Sequence, residues 1–342
     1  MKRLSLVLLT LVVILTLAAC GGQSAEKDKT STEGASTETV KIKSSYQVMG
    51  EKEDGSDAKE VTETVEVPKN TKKVAVFDYG TLSTLQEFGV EDSVVGLPKG
   101  EGNRSLPEFL AGFKEDKYTN LGTLKEANFE KLAETNPDVI IISARQASSK
   151  VLDEMKKAAP NAKILYMGTD AEDYIGSVKE NTANLGKIFD KENQAEELVK
   201  ALDDKIVEVK KLTAASDKKG LFVLANEGEL SVFGKGGRFG FIHDVLGVKE
   251  ADADIKAEGH GQVINFEYLN DKNPDIIFAM DRGVAVGGKS SSKQALTNDV
   301  IKDVNAVKED NIVELDPYLW YFSGGGVKTT VQQIEEIEKG YK

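Results

Sequence analysis

Arg145 and Arg282 each follow a glutamate by 15 positions, Glu130 in one case and Glu267 in the other. They close two copies of one motif. The first copy runs from Asn128-Phe129-Glu130 through Asn136-Pro137-Asp138, and the second from Asn265-Phe266-Glu267 through Asn273-Pro274-Asp275, 137 residues later. Counted from the Asn through the Arg, 9 of 18 positions are identical. A guanidinium stays charged and presents a planar fork of donors suited to paired anionic oxygens. Each arginine stands just beyond an apolar run that reads as a strand, and in open α/β sheets ligands bind off the carboxyl ends of strands. Taken singly, either could pair with a nearby acid such as Asp281. Taken together, two equivalent cations on two similar lobes suit a cleft that grips an anion. The glutamates fall in the first turns of helices capped by Asn128 and Asn265. That is ordinary capping chemistry, worth about 1 kcal/mol for the cap and less for the dipole contribution. It explains each glutamate but not why both lobes carry one.

Further residues could join such a site. Arg238 lies in Phe233-Gly234-Lys235-Gly236-Gly237-Arg238-Phe239-Gly240, where glycines let a backbone approach a ligand closely; a solvated arginine at a hairpin exit is the alternative. Lys99, in Gly96-Leu97-Pro98-Lys99-Gly100, is a weaker instance. Neither glycine cluster ends in the Gly-Lys-Ser/Thr of a phosphate loop. The chain has 2 histidines. His243 lies within an amphipathic helical pattern and reads as structural, whereas His260 sits between glycines on a loop and is better placed for a ligand. Two histidines and no spare cysteine do not assemble a His-rich zinc site. No Gly-x-Ser-x-Gly elbow supports a serine hydrolase. The run Asp316-Pro317-Tyr318-Leu319-Trp320-Tyr321-Phe322 is either an aromatic core plug or the wall of a cleft for a planar ligand.

The elements that must position these residues alternate in period. Residues 41 to 67 read as two strands around the acidic turn Glu53-Asp54-Gly55-Ser56-Asp57. Strands are expected at Lys73 to Asp78, Val94 to Leu97, Val139 to Ser143 and Ile164 to Met167. Helices fall at Thr81 to Phe88, Asn128 to Glu134 and Ser149 to Ala158. That alternation predicts a covered parallel sheet. Two long helical patterns follow, Ala171 to Phe189 and Ala195 to Leu212, with apolar residues spaced by three and four. The first is read as a rigid helix between lobes and the second as the opening of lobe two. There the pattern gives a hairpin around Glu227-Gly228, a helix near Phe239 to Leu246 and a strand from Ile276 to Met280. A helix from Gln294 to Val304, a strand from Ile312 to Asp316 and a last helix from Val327 to Lys339 complete it. The expected fold is α/β: two similar lobes with parallel-type sheets joined by one long rigid helix. The divisions are 41–170 for the first lobe, 171–190 for the connecting helix and 191–342 for the second lobe.

Composition restricts the partners. The 342 residues are 40% hydrophobic and 30% charged, with a formal net charge of −13. An acidic chain offers no basic face to a phosphate backbone, so nucleic acid is not an expected partner. An anion site on it must be a local basic patch. Residues 1–19 carry Lys2 and Arg3, an apolar run from Leu4 to Leu17, and small residues at 18–19, which together make a secretory signal. Cys20 is the 1 cysteine of the chain, so no internal disulfide can form. Residues 20–40 are small, polar and charged and read as a flexible tether. The apolar run is too short for a comfortable membrane span.

Leu17-Ala18-Ala19-Cys20 resembles a bacterial lipobox, which implies cleavage before Cys20 and lipid attachment there. With the tether, two lobes, connecting helix and one glutamate per lobe, the chain resembles the binding lipoproteins that feed iron–siderophore and cobalamin importers, with their class III fold. Val76-Phe77-Asp78-Tyr79-Gly80, Ile142-Ser143-Ala144-Arg145-Gln146, Ile242-His243-Asp244-Val245, His260-Gly261-Gln262, Asp281-Arg282-Gly283 and Trp320-Tyr321 are similar to the catecholate-siderophore branch, which includes petrobactin- and enterobactin-type binding lipoproteins. The resemblance runs from about residue 72 to the end. It implies a non-enzymatic receptor with no intrinsic cofactor, a ferric siderophore as its ligand, and Arg145, Arg238 and Arg282 facing the iron-bound catecholates, with Lys99 nearby. It implies that His260 and Tyr321 complete iron coordination where a ligand leaves positions open, and that Glu130 and Glu267 contact the ABC permease. It further implies a monomer held by lipid on the outer face of the cytoplasmic membrane. Haem or a hydroxamate complex is the alternative ligand for the same fold.

Overall fold

The computed structural model describes residues 38–52, 56–103, 105–257, 259–288, 292, 296 and 298–342. The expected leader, Cys20, most of the expected tether and residues 53–55 of the expected acidic turn lie outside the described residues, as does part of the helix expected from Gln294 to Val304. The described stretch 298–304 is turn, not helix. Its physical reason is local: the Asn298 side-chain oxygen accepts from the Val300 N–H at 2.9 Å, a bond that competes with helical pairing. A short helix, Asn305–Lys308, follows instead.

β1 (Thr39–Val48) and β2 (Lys59–Pro68) form the expected antiparallel hairpin, in register from Thr39 opposite Pro68 to Val48 opposite Lys59. Ile42, Tyr46 and Val48 turn inward while Lys41, Lys43 and Gln47 turn out, the period of two that a half-buried strand requires.

The first lobe comprises β3 (Val74–Val76), α1 (Tyr79–Glu87), β4 (Val94–Leu97), β5 (Thr119–Asn120), α2 (Phe129–Thr135), β6 (Val139–Ile142), α3 (Ser149–Ala158) and β7 (Lys163–Tyr166). Its sheet is parallel throughout, in the order β5-β4-β3-β6-β7. Every residue of β3 and β6 is buried, as expected of strands covered by helices on both faces. Val74, Val76, Val139 and Ile141 face one core with Leu82 and Leu85 of α1. Ala75, Ile140 and Ile142 face another with Leu132 of α2 and Leu152 and Met155 of α3.

α4 (Tyr174–Phe189) begins on an Asp173 cap, whose side chain accepts from the Gly176 N–H at 3.1 Å, and ends at Asp190 with a left-handed φ of 52°. Leu185, Ile188 and Phe189 enter the first lobe's core, whereas Tyr174, Ile175 and Val178 enter the second's. α5 (Glu192–Ala214) accompanies it, with Ala195 in the first core and Leu202, Ile206 and Val209 in the second.

The second lobe contains β8 (Lys219–Asn226), β9 (Glu229–Phe233), α6 (Phe241–Asp244), β10 (Lys249–Glu250), β11 (Gln262–Ile264), α7 (Phe266–Lys272), β12 (Ile276–Asp281), α8 (Arg282–Ala285) and β13 (Ile312–Leu315). Its sheet order is β11-β9-β8-β12-β13, with β10 beside the start of β8. β8, β12 and β13 pair in parallel, but β9 pairs antiparallel with both β8 and β11, so this sheet is mixed. The β8–β9 turn takes positive φ at Glu227 (53°) and Gly228 (94°), as a tight hairpin turn demands. The helices Pro317–Phe322 and Val327–Lys339 close the chain.

Candidate functional site

The repeated motif folds alike in both lobes. The Asn128 side chain accepts from the Lys131 N–H at 2.9 Å and Asn265 from the Tyr268 N–H at 3.0 Å, capping α2 and α7. Both helices stop at left-handed asparagines, Asn136 (φ 43°) and Asn273 (φ 44°), each followed by a proline. The buried strands β6 and β12 follow, and Arg145 and Arg282 stand at their carboxyl ends. Glu130 and Glu267 are exposed in the first helical turns.

The arginines meet on one residue. Arg145 Nη2 donates to the Tyr321 main-chain carbonyl at 2.6 Å, and Arg238 Nη2 donates to the same oxygen at 3.0 Å. Arg282 Nε donates to the Tyr321 hydroxyl at 2.9 Å, and its Nη1 donates to Asn226 Oδ1 at 2.7 Å. The guanidinium carbons of Arg145, Arg238 and Arg282 lie 5.1, 4.7 and 5.4 Å from the centre of the Tyr321 ring, within cation–π range. Arg145 comes from the first lobe and the other two from the second. Among the described residues, no carboxylate forms an ion pair with any of the three.

This cluster borders a cavity of about 560 Å³ between the lobes, within the usual range for small-ligand sites. Arg145 and Arg238 line it, with Asp78, Trp320, Tyr321 and Gln333. Arg282 does not line it; it stands behind the Tyr321 hydroxyl. The loop bearing Arg238 is pinned by the Gly236 N–H, which donates to the Asp244 carboxylate at 2.9 Å with Gly236 at φ 67°.

The aromatic run serves two ends. Asp316 caps the helix Pro317–Phe322 by accepting from Tyr318 and Leu319 N–H at 2.8 and 3.1 Å. Leu319 and Trp320 are buried in the second lobe's core, and the indole N–H of Trp320 donates to Glu336 at 2.8 Å. Tyr321 and Phe322 stay half-buried at the cavity. Core plug and cleft wall are therefore successive residues of one helix.

The charges of the cluster shift the titration of its own members. Burial holds the Arg238 guanidinium below its usual pKa, and repulsion from Arg145 and Arg282 lowers it further against a partial offset from Tyr321. Burial pushes the Tyr321 phenol up, but the Arg282 hydrogen bond and the charges of Arg282, Arg145 and Arg238 outweigh it, leaving its pKa below the ordinary tyrosine value. Burial raises Asp78 against hydrogen bonds from Thr81 and Ser143 and the charge of Arg145.

Two expected contributors do not line the cavity. Lys99 is 3% exposed, and its ammonium donates to the main-chain carbonyls of Glu115 at 2.7 Å and Lys114 at 3.4 Å. A buried ammonium satisfied by carbonyls fastens a loop, and Lys99 does not line the cavity. His260 is exposed; its neighbours Ala257 and Gly259 line the cavity, but its own side chain does not. His243 is structural as read from the sequence: it is buried, and Nδ1 donates to the Val248 carbonyl at 2.9 Å. Asn226, Asp78 and Gln333 were not singled out as site residues. Only Asp78 carried a signal, as a carboxylate at a strand end. Among the described residues, no group of three or more His, Cys, Asp or Glu side chains is arranged to hold a metal ion.

Known proteins resemble this chain in sequence and fold. The chain is 43% identical over 340 residues to the petrobactin-binding protein YclQ of Bacillus subtilis, covering 99% of each. The crystal structure of that protein matches with a TM-score of 0.76 over 87% of this chain and 99% of the other. The ferric-anguibactin-binding protein FatB of Vibrio anguillarum is 30% identical over 81% of this chain and 84% of its own length. The periplasmic catecholate-siderophore binding protein VctP of Vibrio cholerae matches at a TM-score of 0.73 and 28% identity, over 86% of this chain and all 100% of that one. The profile of the periplasmic binding protein family spans residues 74–319, from β3 into the helix that carries Tyr321, and the chain belongs to that family.

Proposed function

We propose that the protein captures a ferric catecholate-type siderophore between its lobes and delivers it to an ABC permease for iron uptake. The observation that carries this reading is the convergence of Arg145, Arg238 and Arg282 on Tyr321 beside an interlobe cavity. A ferric tris-catecholate is a trianion, and charge-assisted bonds to its phenolate oxygens suit guanidinium donors. The relatives named for petrobactin, ferric anguibactin and a catecholate siderophore support the same ligand class. Where a ligand leaves iron positions open, Tyr321 supplies a phenolate, a known iron donor, and its lowered pKa favours that form. His260 supplies an imidazole from the adjoining loop. Glu130 and Glu267, exposed and matched, dock on the permease. Lipidated Cys20 holds the monomer at the outer face of the cytoplasmic membrane; among the described residues no helix is long and apolar enough to cross it. Binding is the whole task of the chain, without catalysis or a resident cofactor.

Trp320 is the 1 tryptophan of the chain and lines the cavity, so its fluorescence reports occupancy. Titration with ferric bis- and tris-catecholates should quench it with sub-micromolar midpoints. Tighter binding of haem or a ferric hydroxamate than of either catecholate would overturn the assignment.

A further inference from the structure

Gln146 is 3% exposed, and the function described above uses none of its atoms. Its side-chain oxygen accepts from the Ser143 N–H at 3.3 Å, while its main-chain N–H donates to the Ser143 carbonyl at 3.1 Å. These two bonds close the turn from Ser143 to Gln146 on both sides. Arg145 stands on that turn and reaches across to Tyr321. The other end of the amide points away from the cavity: Nε2 donates to the Leu124 carbonyl at 2.7 Å. Leu124 belongs to a tight loop. A bridge pairs Gly122 with Ala127, and the Thr123 N–H donates to the Glu126 carbonyl at 2.9 Å. Asn128 comes next, its N–H donating to the Leu121 carbonyl at 2.8 Å and its side chain capping the helix of Glu130. One buried amide therefore joins the turn that aims Arg145 to the loop that starts α2.

Among the described residues, lobe two shows no such connection. At the same 137-residue offset, Gly283 stands in place of Gln146 and Gly261 in place of Leu124. A glycine has no side chain to span the gap.

We propose that Gln146 is a positioning residue that couples the Arg145 turn to the Glu130 helix, so that lobe one reports ligand occupancy to the permease. The proposal rests on the siderophore reading above. A ligand that holds Arg145 restrains its turn. The shared amide passes that restraint to the loop 122–127, because a buried amide with both ends bonded cannot move at one end alone without unpairing the other. Ordering of this kind couples sites without a large displacement, and hydrogen exchange is the observable for it.

The test is hydrogen exchange on the full chain with ferric 2,3-dihydroxybenzoate as the probe, with Trp320 quenching followed in the same samples. In the parent, the probe should quench Trp320 and slow exchange across residues 121–131 about threefold or more, with less change across 261–268. Gln146→Met keeps the volume but removes both amide bonds. It should bind the probe within about tenfold of the parent and lose the slowing. Gln146→Glu keeps the acceptor for Ser143 and removes only the donor to Leu124; it should lose the slowing too, and it stands in if the Met variant does not fold. Quenching without slowing in the parent, or slowing that survives in the variants, overturns the coupling. No quenching in the parent would sink the siderophore reading itself, and the coupling with it.

Discussion

Arg238→Met should weaken ferric catecholate binding more than the same change at Arg145 or Arg282. Met matches the length of the arginine stem and removes the guanidinium alone. Arg238 is half-buried and lines the cavity, so its bond to a ligand oxygen forms away from solvent. Charge-assisted hydrogen bonds of this kind contribute roughly 1.5–3 kcal/mol, or about ten- to a hundredfold in Kd. Arg145 is exposed at the cavity rim, where solvent and salt screen the interaction, so its loss should cost under about tenfold and should vary with ionic strength. Arg282 does not line the cavity and acts through the Tyr321 hydroxyl, so its loss should be smaller still with ligands that do not use that oxygen. Arg145 and Arg238 donate to one carbonyl and face one ring, so the double variant should depart from the sum of the singles by about 0.5 kcal/mol or more. Quenching of Trp320 by a ferric tris-catecholate at two salt concentrations measures all four variants and the parent. If Arg145→Met costs more than Arg238→Met, burial does not rank the three; if every variant stays within twofold of the parent, the arginine cluster is not the grip.

The remaining expectations use other readouts. Burial raises the pKa of Tyr46, Tyr79, Tyr118, Tyr166, Tyr174, Tyr268 and Tyr341, with Tyr166 and Tyr341 at about 12, whereas that of Tyr321 is lowered; in an alkaline absorbance titration Tyr321 should therefore ionise ahead of those seven, and Tyr321→Phe should abolish that leading phase. Its folded pKa lies below the unfolded value of about 10, so its contribution to stability is complete only above that value and disappears as pH falls through the folded pKa. Burial lowers His243, so stability should be full above the unfolded value of about 6.5 and decline as pH falls below it; urea midpoints between pH 7 and 5 should slope less in His243→Gln. Changing Glu130 and Glu267 together to Gln should leave Kd and thermal stability within error while uptake by intact cells stops, because Asn128 and Asn265 keep the caps; loss of ligand binding in the folded double variant would contradict the docking role.

The sequence was most legible where its signals were local. The apolar runs of β3, β6 and β12 and the spacing in α3 and in Val327–Lys339 found their elements because burial on a given period is written residue by residue. The repeat was legible too: Asn caps, left-handed Asn stops and following prolines act within a few residues of one another. Its strand-end arginines came with it. What the sequence hid was tertiary. Arg145 reaches an oxygen 176 residues away, and that oxygen belongs to a main chain, which no side-chain motif can advertise. Lys99 misled for a related reason. A glycine-flanked lysine reads as a ligand loop, but the carbonyls of residues 114 and 115 claim its ammonium, and nothing near residue 99 encodes them. In the second sheet the hairpin of β8 and β9 was legible at Glu227-Gly228, whereas β10 and β11 are too short to carry a readable period.

The geometry also explains how an acidic chain can keep three cations together at one cavity. Burial and its cationic neighbours hold Arg238 below its usual pKa, so an anion placed there would relieve a repulsion that exists without it. That advantage persists only if the cations cannot drift apart, and the joint between lobes prevents it. α4 and α5 thread both cores, and a third connection is made backbone to backbone. A side chain added at Gly80 of α1 would lie 2.5 Å from the Gly326 nitrogen, and one added at Gly326 would lie 2.3 Å from the Gly80 carbonyl. No larger residue fits either place without forcing the C-terminal helix away from α1. Lys328 pairs with Glu87 beside this contact. The turn from Ser323 to Gly326 follows Phe322 directly, so the clamp lies within five residues of Tyr321. Holding Tyr321 against lobe one in this way keeps Arg145 within reach of the second lobe's arginines. The ordering cost of assembling three cations is met during folding, leaving little to spend when the ligand arrives.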